Sequence, residues 1–280
     1  SEGEEVELRS RLGWQESLGM GVRWIDGEAA RGLEPQLSPR LRGAVYSPLE
    51  HQVNPSKLVQ GLARAAEARG AVIRQETPVA GLLRRGARIT GVRLAGETLW
   101  ADSVVLAAGP WTKRLAAALG VRVPVRPVRG QMLALGGGPS PVRHMIWGPR
   151  GYMAPQANGF LFVGATVEEV GFRKTTTTRG LSSLRRMANE LVPALTHATQ
   201  VDAWAAFRPG SVDGLPILGA APGWEGLWVA SGHFRNGILL SPITGRLMAR
   251  SLLEGREVEA LSPFSPARFE QRIGNGQTDG

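Results

Sequence analysis

The sequence predicts an α/β protein with two layers of different kind, a parallel α/β unit and a mainly antiparallel sheet. Three observations carry that prediction. A strongly amphipathic stretch opened by Asn54-Pro55 and closed by Gly70 runs straight into Ala71-Val72-Ile73, which is half of a βαβ unit. A continuous apolar run, Ser103 to Ala108, ends in Gly109 and suits a strand buried on both faces. From Val121 to Gly164 the pattern breaks into short apolar runs punctuated by Pro124, Pro127, Gly130, Gly136-Gly137-Gly138, Pro139 and Pro141, as in an antiparallel sheet.

Taken in order, residues 4 to 19 read as a helix without a clear N-cap. Trp24 to Glu34 reads as a strand end followed by a short helix. In the helix after Asn54-Pro55, Leu58, Val59, Leu62, Ala63 and Ala66 form one apolar face. Pro fits its first position, where the missing N–H has no helical partner to lose. Short strands are expected at Val79–Leu83, Ile89–Leu94 and Glu97–Ala101, the last two joined at Ala95-Gly96. Trp111 to Leu119 is a short helix closed by Gly120. Arg179 to Leu191 is an amphipathic helix capped by Thr177 or Thr178 and stopped by Pro193. Gln200 to Phe207 alternates as a strand, and Arg208-Pro209-Gly210 reads as a turn. Leu227 to Ala230 is a strand and Ile238 to Leu253 a helix. Residues after Pro263 read as a frayed tail.

Composition narrows the function. The chain has 280 residues, 42% hydrophobic and 20% charged, enough for one large domain or two modest ones. No apolar run is long enough for a transmembrane helix. The acidic start, Ser1-Glu2-Gly3-Glu4-Glu5, lacks the pattern of a signal peptide. With no cysteine, disulfides, thiolate metal sites and a Cys nucleophile are excluded, and the cytoplasm is the default compartment. The net charge of +9 comes almost wholly from arginine, since Lys57, Lys113 and Lys174 are the only lysines. These arginines are dispersed, with small clusters such as Arg84-Arg85-Arg88, so a solvated basic surface is expected and no nucleic-acid stripe. The four histidines, His51, His144, His197 and His233, have no metal-ligand spacing. No Gly-x-Ser-x-Gly elbow or P-loop exists. Gly19-Met20-Gly21-Val22-Arg23-Trp24 fails as a dinucleotide fingerprint at its third glycine and follows a helix, where a strand is required.

The chemistry concentrates between a strand and a helix. His233-Phe234-Arg235-Asn236-Gly237-Ile238-Leu239 links Leu227–Ala230 to the last helix, aiming backbone N–H groups and the positive end of a helix dipole at whatever lies in front. Arg208 and Arg235 supply guanidinium groups suited to bidentate carboxylate recognition. Arg208 can equally pin a turn through backbone carbonyls, and Tyr152 can be an ordinary packed aromatic. Two arginines and a tyrosine that converge make a carboxylate pocket.

Val105 to Trp111, Arg208-Pro209-Gly210, Asp213-Gly214-Leu215-Pro216-Ile217-Leu218-Gly219 and Gly232 to Leu240 occur in one order. Together they resemble the FAD-dependent D-amino acid oxidase superfamily, and within it the glycine oxidases of thiamine biosynthesis. Gly164 to Glu168, Tyr46-Ser47-Pro48 and Gln52 to Pro55 strengthen the likeness, which runs to about Pro263. The resemblance implies a D-amino acid oxidase-like α/β (α+β) fold. A truncated Rossmann-like FAD-binding domain over 50–124 and 206–262 would join a substrate domain over 1–49 and 125–205, with a flexible tail over 263–280. It implies that Arg208 holds the substrate carboxylate, that Tyr152 assists, and that Arg235 meets substrate and flavin. His233, Phe234, Arg235, Asn236, Gly237, Ile238 and Leu239 would contact the flavin ring, Val79 the adenine, and Ala107, Ala108 and Gly109 the ribose-pyrophosphate side.

The implied reaction is FAD-dependent oxidative deamination of glycine or another small amino acid or amine. Hydride leaves the α-carbon, the imine hydrolyses to an oxo acid, and molecular oxygen is reduced to hydrogen peroxide. A sarcosine oxidase or a dehydrogenase is the same chemistry with another substrate or acceptor. The family's GxGxxG segment has no counterpart here, so a non-catalytic half-protein is the reading of another class. The implied protein partners are a homo-oligomer or a complementing N-terminal segment; neither nucleic acid nor membrane is expected. Val167 and Arg150 stand where some glycine oxidases carry Met and His.

Overall fold

The structure, a computed structural model, describes residues 1–270. In chain order its helices and strands are α1 (Glu2–Ser17), β1 (Arg23–Asp26), α2 (Gly27–Leu33), β2 (Gly43–Tyr46), α3 (Pro55–Glu67), β3 (Gly81–Arg85), β4 (Arg88–Arg93), β5 (Thr98–Trp100), β6 (Val104–Leu106), α4 (Thr112–Ala117), β7 (Val125–Gly136), β8 (Ile146–Gly148), β9 (Gly151–Pro155), β10 (Leu161–Gly164), α5 (Thr178–Leu191), β11 (Thr199–Ser211), β12 (Ile217–Ala220), β13 (Leu227–Ser231) and α6 (Gly237–Glu254). The chain divides into two compact units. The first holds Ser1–Asn54, Arg129–Glu168 and Arg173–Ala206; the second holds Pro55–Val128, Glu169–Phe172 and Phe207 onward.

The first unit is built on a sheet of order β11-β7-β10-β9-β8, in which the β7–β10, β10–β9 and β9–β8 pairs are antiparallel. One face of α5 packs Leu184, Met187 and Ala188 against Leu133, Leu135, Met153, Leu161 and Val163, forming a closed core. Thr177, one of the two candidates that the sequence offers, caps α5 by accepting from Gly180 N. A buried polar network ties the start of this helix to the sheet. Gln131, fully buried, accepts from Thr177 N at 2.7 Å and donates to Glu168 and Thr177. Arg129 pairs with Glu168 at 2.6 Å and donates to the carbonyls of Arg173 and Thr175. Arg185 donates to three carbonyls, those of Leu195, Thr196 and Ala198, and so closes the turn after α5. Ser1 and Glu4 form a capping box on α1, a cap that the sequence reading did not find.

The second unit holds two three-stranded sheets. One, β3-β4-β5, is an antiparallel meander. The other, of order β12-β13-β6, places β13 parallel to β6, with Leu227 opposite Val104 and Val229 opposite Leu106. Leu106, Ile217, Leu227 and Val229 form its core with Ala116, Val121 and Val123. Trp228 and Leu218 face the other way, onto Met248 and Leu261.

Four expectations are corrected. Ala71–Ile73 is not a strand: no ladder partner exists for it among the described residues, and Val72 is 84% exposed. The strand after Ser103 is not buried on both faces, because β6 is the edge of its sheet and Val105 is exposed. Arg208-Pro209-Gly210 is not a turn but the end of β11. Pro209 needs no ladder donor there, and its carbonyl accepts from Phe234 N at 2.9 Å. Finally, the chain after Pro263 is not frayed through residue 269. Glu259–Phe264 and Pro266–Phe269 form 3₁₀ turns, and Arg268 pins them by bonding Asp213 at 2.7 Å and the carbonyls of Leu215, Pro216, Phe264 and Ser265. Residues 271–280 lie outside the described residues.

Candidate functional site

The ends of two adjacent parallel strands define the site in the second unit. A parallel pair sends both chains out at the same sheet edge, where backbone groups without ladder partners are available to a ligand. Beyond β6 come Ala107, Ala108 and Gly109; Gly109 has φ +53°, and a Cβ there would meet no atom within 4 Å. Beyond β13 come Gly232 (φ +80°), His233, Phe234, Arg235 and Asn236, and then α6. The two exits are bonded directly: the buried Ser231 hydroxyl donates to the Gly109 carbonyl at 2.9 Å.

The end of β11 joins the same cluster. Gly210 bridges His233, and Phe234 N donates to Pro209 O, so Arg208 and Arg235 are carried on bonded stretches of backbone. Phe234 has φ +49°, a left-handed conformation costly for an aromatic residue and found mostly where surrounding structure enforces it. Asn236 sits at the N-cap of α6 without a side-chain cap bond, and Ile238 and Leu239 are exposed in the first turn. The first-turn N–H groups of α6 carry the positive end of its dipole. His233 is half-buried; burial lowers its pKa from the ordinary value, so the imidazole is uncharged near neutrality. Its Nε2 lies 3.0 Å from Thr244 Oγ1.

The sequence-derived residues divide as follows. Ala107–Gly109, Arg208 and His233–Leu239 come together in the second unit. Val79 lies in the same unit, just before β3, where Ala80 N bonds Arg93 O. Tyr152 belongs to the first unit, on β9. Its ring lies 4.9 Å from that of Trp147, its register partner on β8, and its hydroxyl is 3.8 Å from Met132 Sδ. Trp147 Nε1 donates to Glu50 at 3.0 Å. The sequence reading did not single out Trp147, Glu50, Ser231 or Thr244. For Trp147 a signal existed: Gly148-Pro149-Arg150-Gly151 is a hairpin turn, which sets Trp147 opposite Tyr152.

A cavity of about 840 Å³ lies along α5, lined by Arg40, Thr177, Arg185, Arg186 and Asn189 among others. It contains none of the sequence-derived site residues, and the bonded strand ends describe the site better than this open groove does. Among the described residues no cluster of His, Asp and Glu could hold a metal ion, and no helix is long and apolar enough to cross a membrane.

The second unit has features that suit an anionic cofactor: open backbone at Gly109, the helix N–H groups of Gly237 to Leu239, and exposed apolar side chains in the first turn of α6. Comparison with known proteins agrees. The family described as FAD dependent oxidoreductase matches residues 1–251. Glycine oxidase of Pseudomonas putida is 36% identical over 264 residues, which are 94% of this chain and 72% of that protein. Hydrogen cyanide synthase subunit HcnC of Pseudomonas protegens is 38% identical over 250 residues, 89% of this chain and 60% of that one. The crystal structure of glycine oxidase from Geobacillus kaustophilus superimposes with a TM-score of 0.90 at 34% identity, covering 96% of this chain and 73% of that one. The fold and the sequence agree: this chain belongs to the family of FAD-dependent oxidoreductases, in its glycine-oxidase-like branch, and is a flavoenzyme of the amino acid oxidase kind.

Proposed function

We propose that the chain takes part in oxidative deamination of glycine or another small amino acid or amine. The observation that carries this reading is the bonded cluster of the exits after β6 and β13 with the end of β11, in which Arg208 on β11 and Arg235 before α6 lie on stretches of backbone joined by Gly210–His233 and Phe234–Pro209. In this reading 50–124 and 206–262 hold the cofactor, and 1–49 and 125–205 hold the substrate. FAD, held by Ala107–Gly109 and His233–Leu239, would supply the two-electron acceptor for hydride from the substrate α-carbon, with molecular oxygen as the final acceptor and hydrogen peroxide as its product. Arg208 pairs with the substrate carboxylate and so turns the α-carbon toward the ring. Tyr152, on β9 of the first unit, is the assisting residue that the family resemblance implies. Arg235 and the N-terminus of α6 would favour negative charge on a flavin held there. A substrate bound as the neutral amine needs no protein base, and water hydrolyses the imine product to the oxo acid and ammonia.

A complementing segment that carries a dinucleotide-binding turn would fit against the apolar face of α3, where Val59 and Leu62 are 60% and 56% exposed, and along the edge that β6 forms among the described residues. A dehydrogenase, in which electrons go to an acceptor other than oxygen, is the same chemistry with another acceptor.

Arg208→Ala tests the assignment in protein reconstituted with FAD. With glycine, sarcosine and D-alanine as substrates, loss of a bidentate charge-assisted contact should cost about a hundredfold or more in kcat/KM. An unchanged KM and rate would refute the role. Peroxide release separates oxidase from dehydrogenase.

A further inference from the structure

The first two turns of α6 are held less firmly than an ordinary helix start. Pro242 has no N–H, so the Ile238 carbonyl lacks its normal helical donor; the Ser241 hydroxyl takes that place at 2.9 Å. Asn236 gives no side-chain cap. Ile238, Leu239 and Ile243 are exposed and contribute little packing. Yet this stretch must hold Phe234 in a left-handed conformation and keep the N–H groups of Gly237 to Leu239 aimed in one direction. One side-chain bond spans the weak segment: His233 Nε2 to Thr244 Oγ1 at 3.0 Å. It begins in the turn before the helix and ends beyond Pro242, so it bypasses the interrupted ladder. The imidazole, uncharged near neutrality, has one donor and one acceptor nitrogen, and a hydroxyl can meet either.

We propose that Thr244 is a positioning residue which, through His233, clasps the 232–237 turn onto α6 and so presets the backbone that meets the flavin. The inference rests on the flavin reading of this turn. Thr244→Val keeps the shape and removes the hydroxyl; Thr244→Ser keeps the hydroxyl. Two readouts apply: the FAD dissociation constant from flavin fluorescence, and amide hydrogen exchange of the peptide covering 232–243. With Val, FAD should bind about five- to tenfold more weakly, and exchange in 232–243 should quicken by a similar factor, while β12 and β13 keep the parent rate. Ser should restore both readouts to within about twofold of the parent. Unchanged exchange with Val would show that there is no clasp and overturn the proposal. Faster exchange with unchanged FAD affinity would show a clasp that is irrelevant to the cofactor, and overturn it also. Quickened exchange throughout the unit would reduce Thr244 to a general packing role. A parent chain that takes up no FAD, free or supplied with a complementing segment, overturns the flavin reading and this proposal with it.

Discussion

Ser231→Ala removes a hydroxyl that joins the exits of β6 and β13. Ser231 is 2% exposed and donates to the Gly109 carbonyl at 2.9 Å. The alanine fills nearly the same volume, so packing changes little and the effect isolates the hydrogen bond. Deleting a buried donor leaves its acceptor unpaired, at about 1–3 kcal/mol. Gly109 is only half-buried, so water can partly replace the donor, and about 1–1.5 kcal/mol is expected. For a folding unit of this size that is about 3–6 °C in Tm. Because the chain has two compact units, the assay must follow the second one. Hydrogen exchange of β6 and β13 in urea does so and reports the loss directly. Without the bond Gly109 also loses its fixed place, so FAD affinity should fall severalfold. A destabilisation below about 0.3 kcal/mol, or one that spares FAD affinity, would refute the claim that this bond registers the two exits.

Two further substitutions test other parts of the argument. A Cβ on Gly180 would lie 2.3 Å from Gln131 Nε2 inside the buried network, so Gly180→Ala should destabilise the first unit by about 2 kcal/mol or more, read as a lowered urea midpoint; a neutral result would mean that Gln131 moves freely. The hydrogen bond from Arg268 holds the Asp213 carboxyl below its ordinary value. A group depressed in the folded state stabilises above its unfolded pKa, so Asp213 should contribute at neutral pH and lose that contribution as pH falls below about 4. Asp213→Asn should remove that acid-side slope, and loosening of the 259–269 turns at pH 7 should appear in their hydrogen exchange; an unaltered slope would refute the pairing.

Much of this molecule was legible in its sequence because its signals are local. The faces of α3 and α5, the cap at Thr177 and the strand–turn–helix around His233 depend on residues a few positions apart. The misreadings have distant partners. Pro209-Gly210 carries turn chemistry, yet its conformation is set by Phe234 and His233. The order after Pro263 comes from Arg268 meeting Asp213 fifty-five positions away. Ala71–Ile73 has a strand's composition but no neighbour to make it one. Likewise, the motif residues of the site could be named one by one, whereas the bond between Ser231 and Gly109 and the clasp at Thr244 depend on which strands lie side by side.

Several guanidinium groups of this protein hold the fold together. Arg185 gathers three carbonyls, Arg268 four carbonyls and a carboxylate, and Arg129 two carbonyls and a carboxylate. Lysine, with a single rounded ammonium group, would not replace them. A dicarbonyl reagent used to look for essential arginines would therefore act on clamps as well as on any anion-binding group, and its inactivation curve would mix loss of structure with loss of chemistry. Amine-directed reagents have the opposite property. In this sequence their side-chain targets are Lys57, Lys113 and Lys174, so coupling through lysine amines leaves every one of these clamps intact.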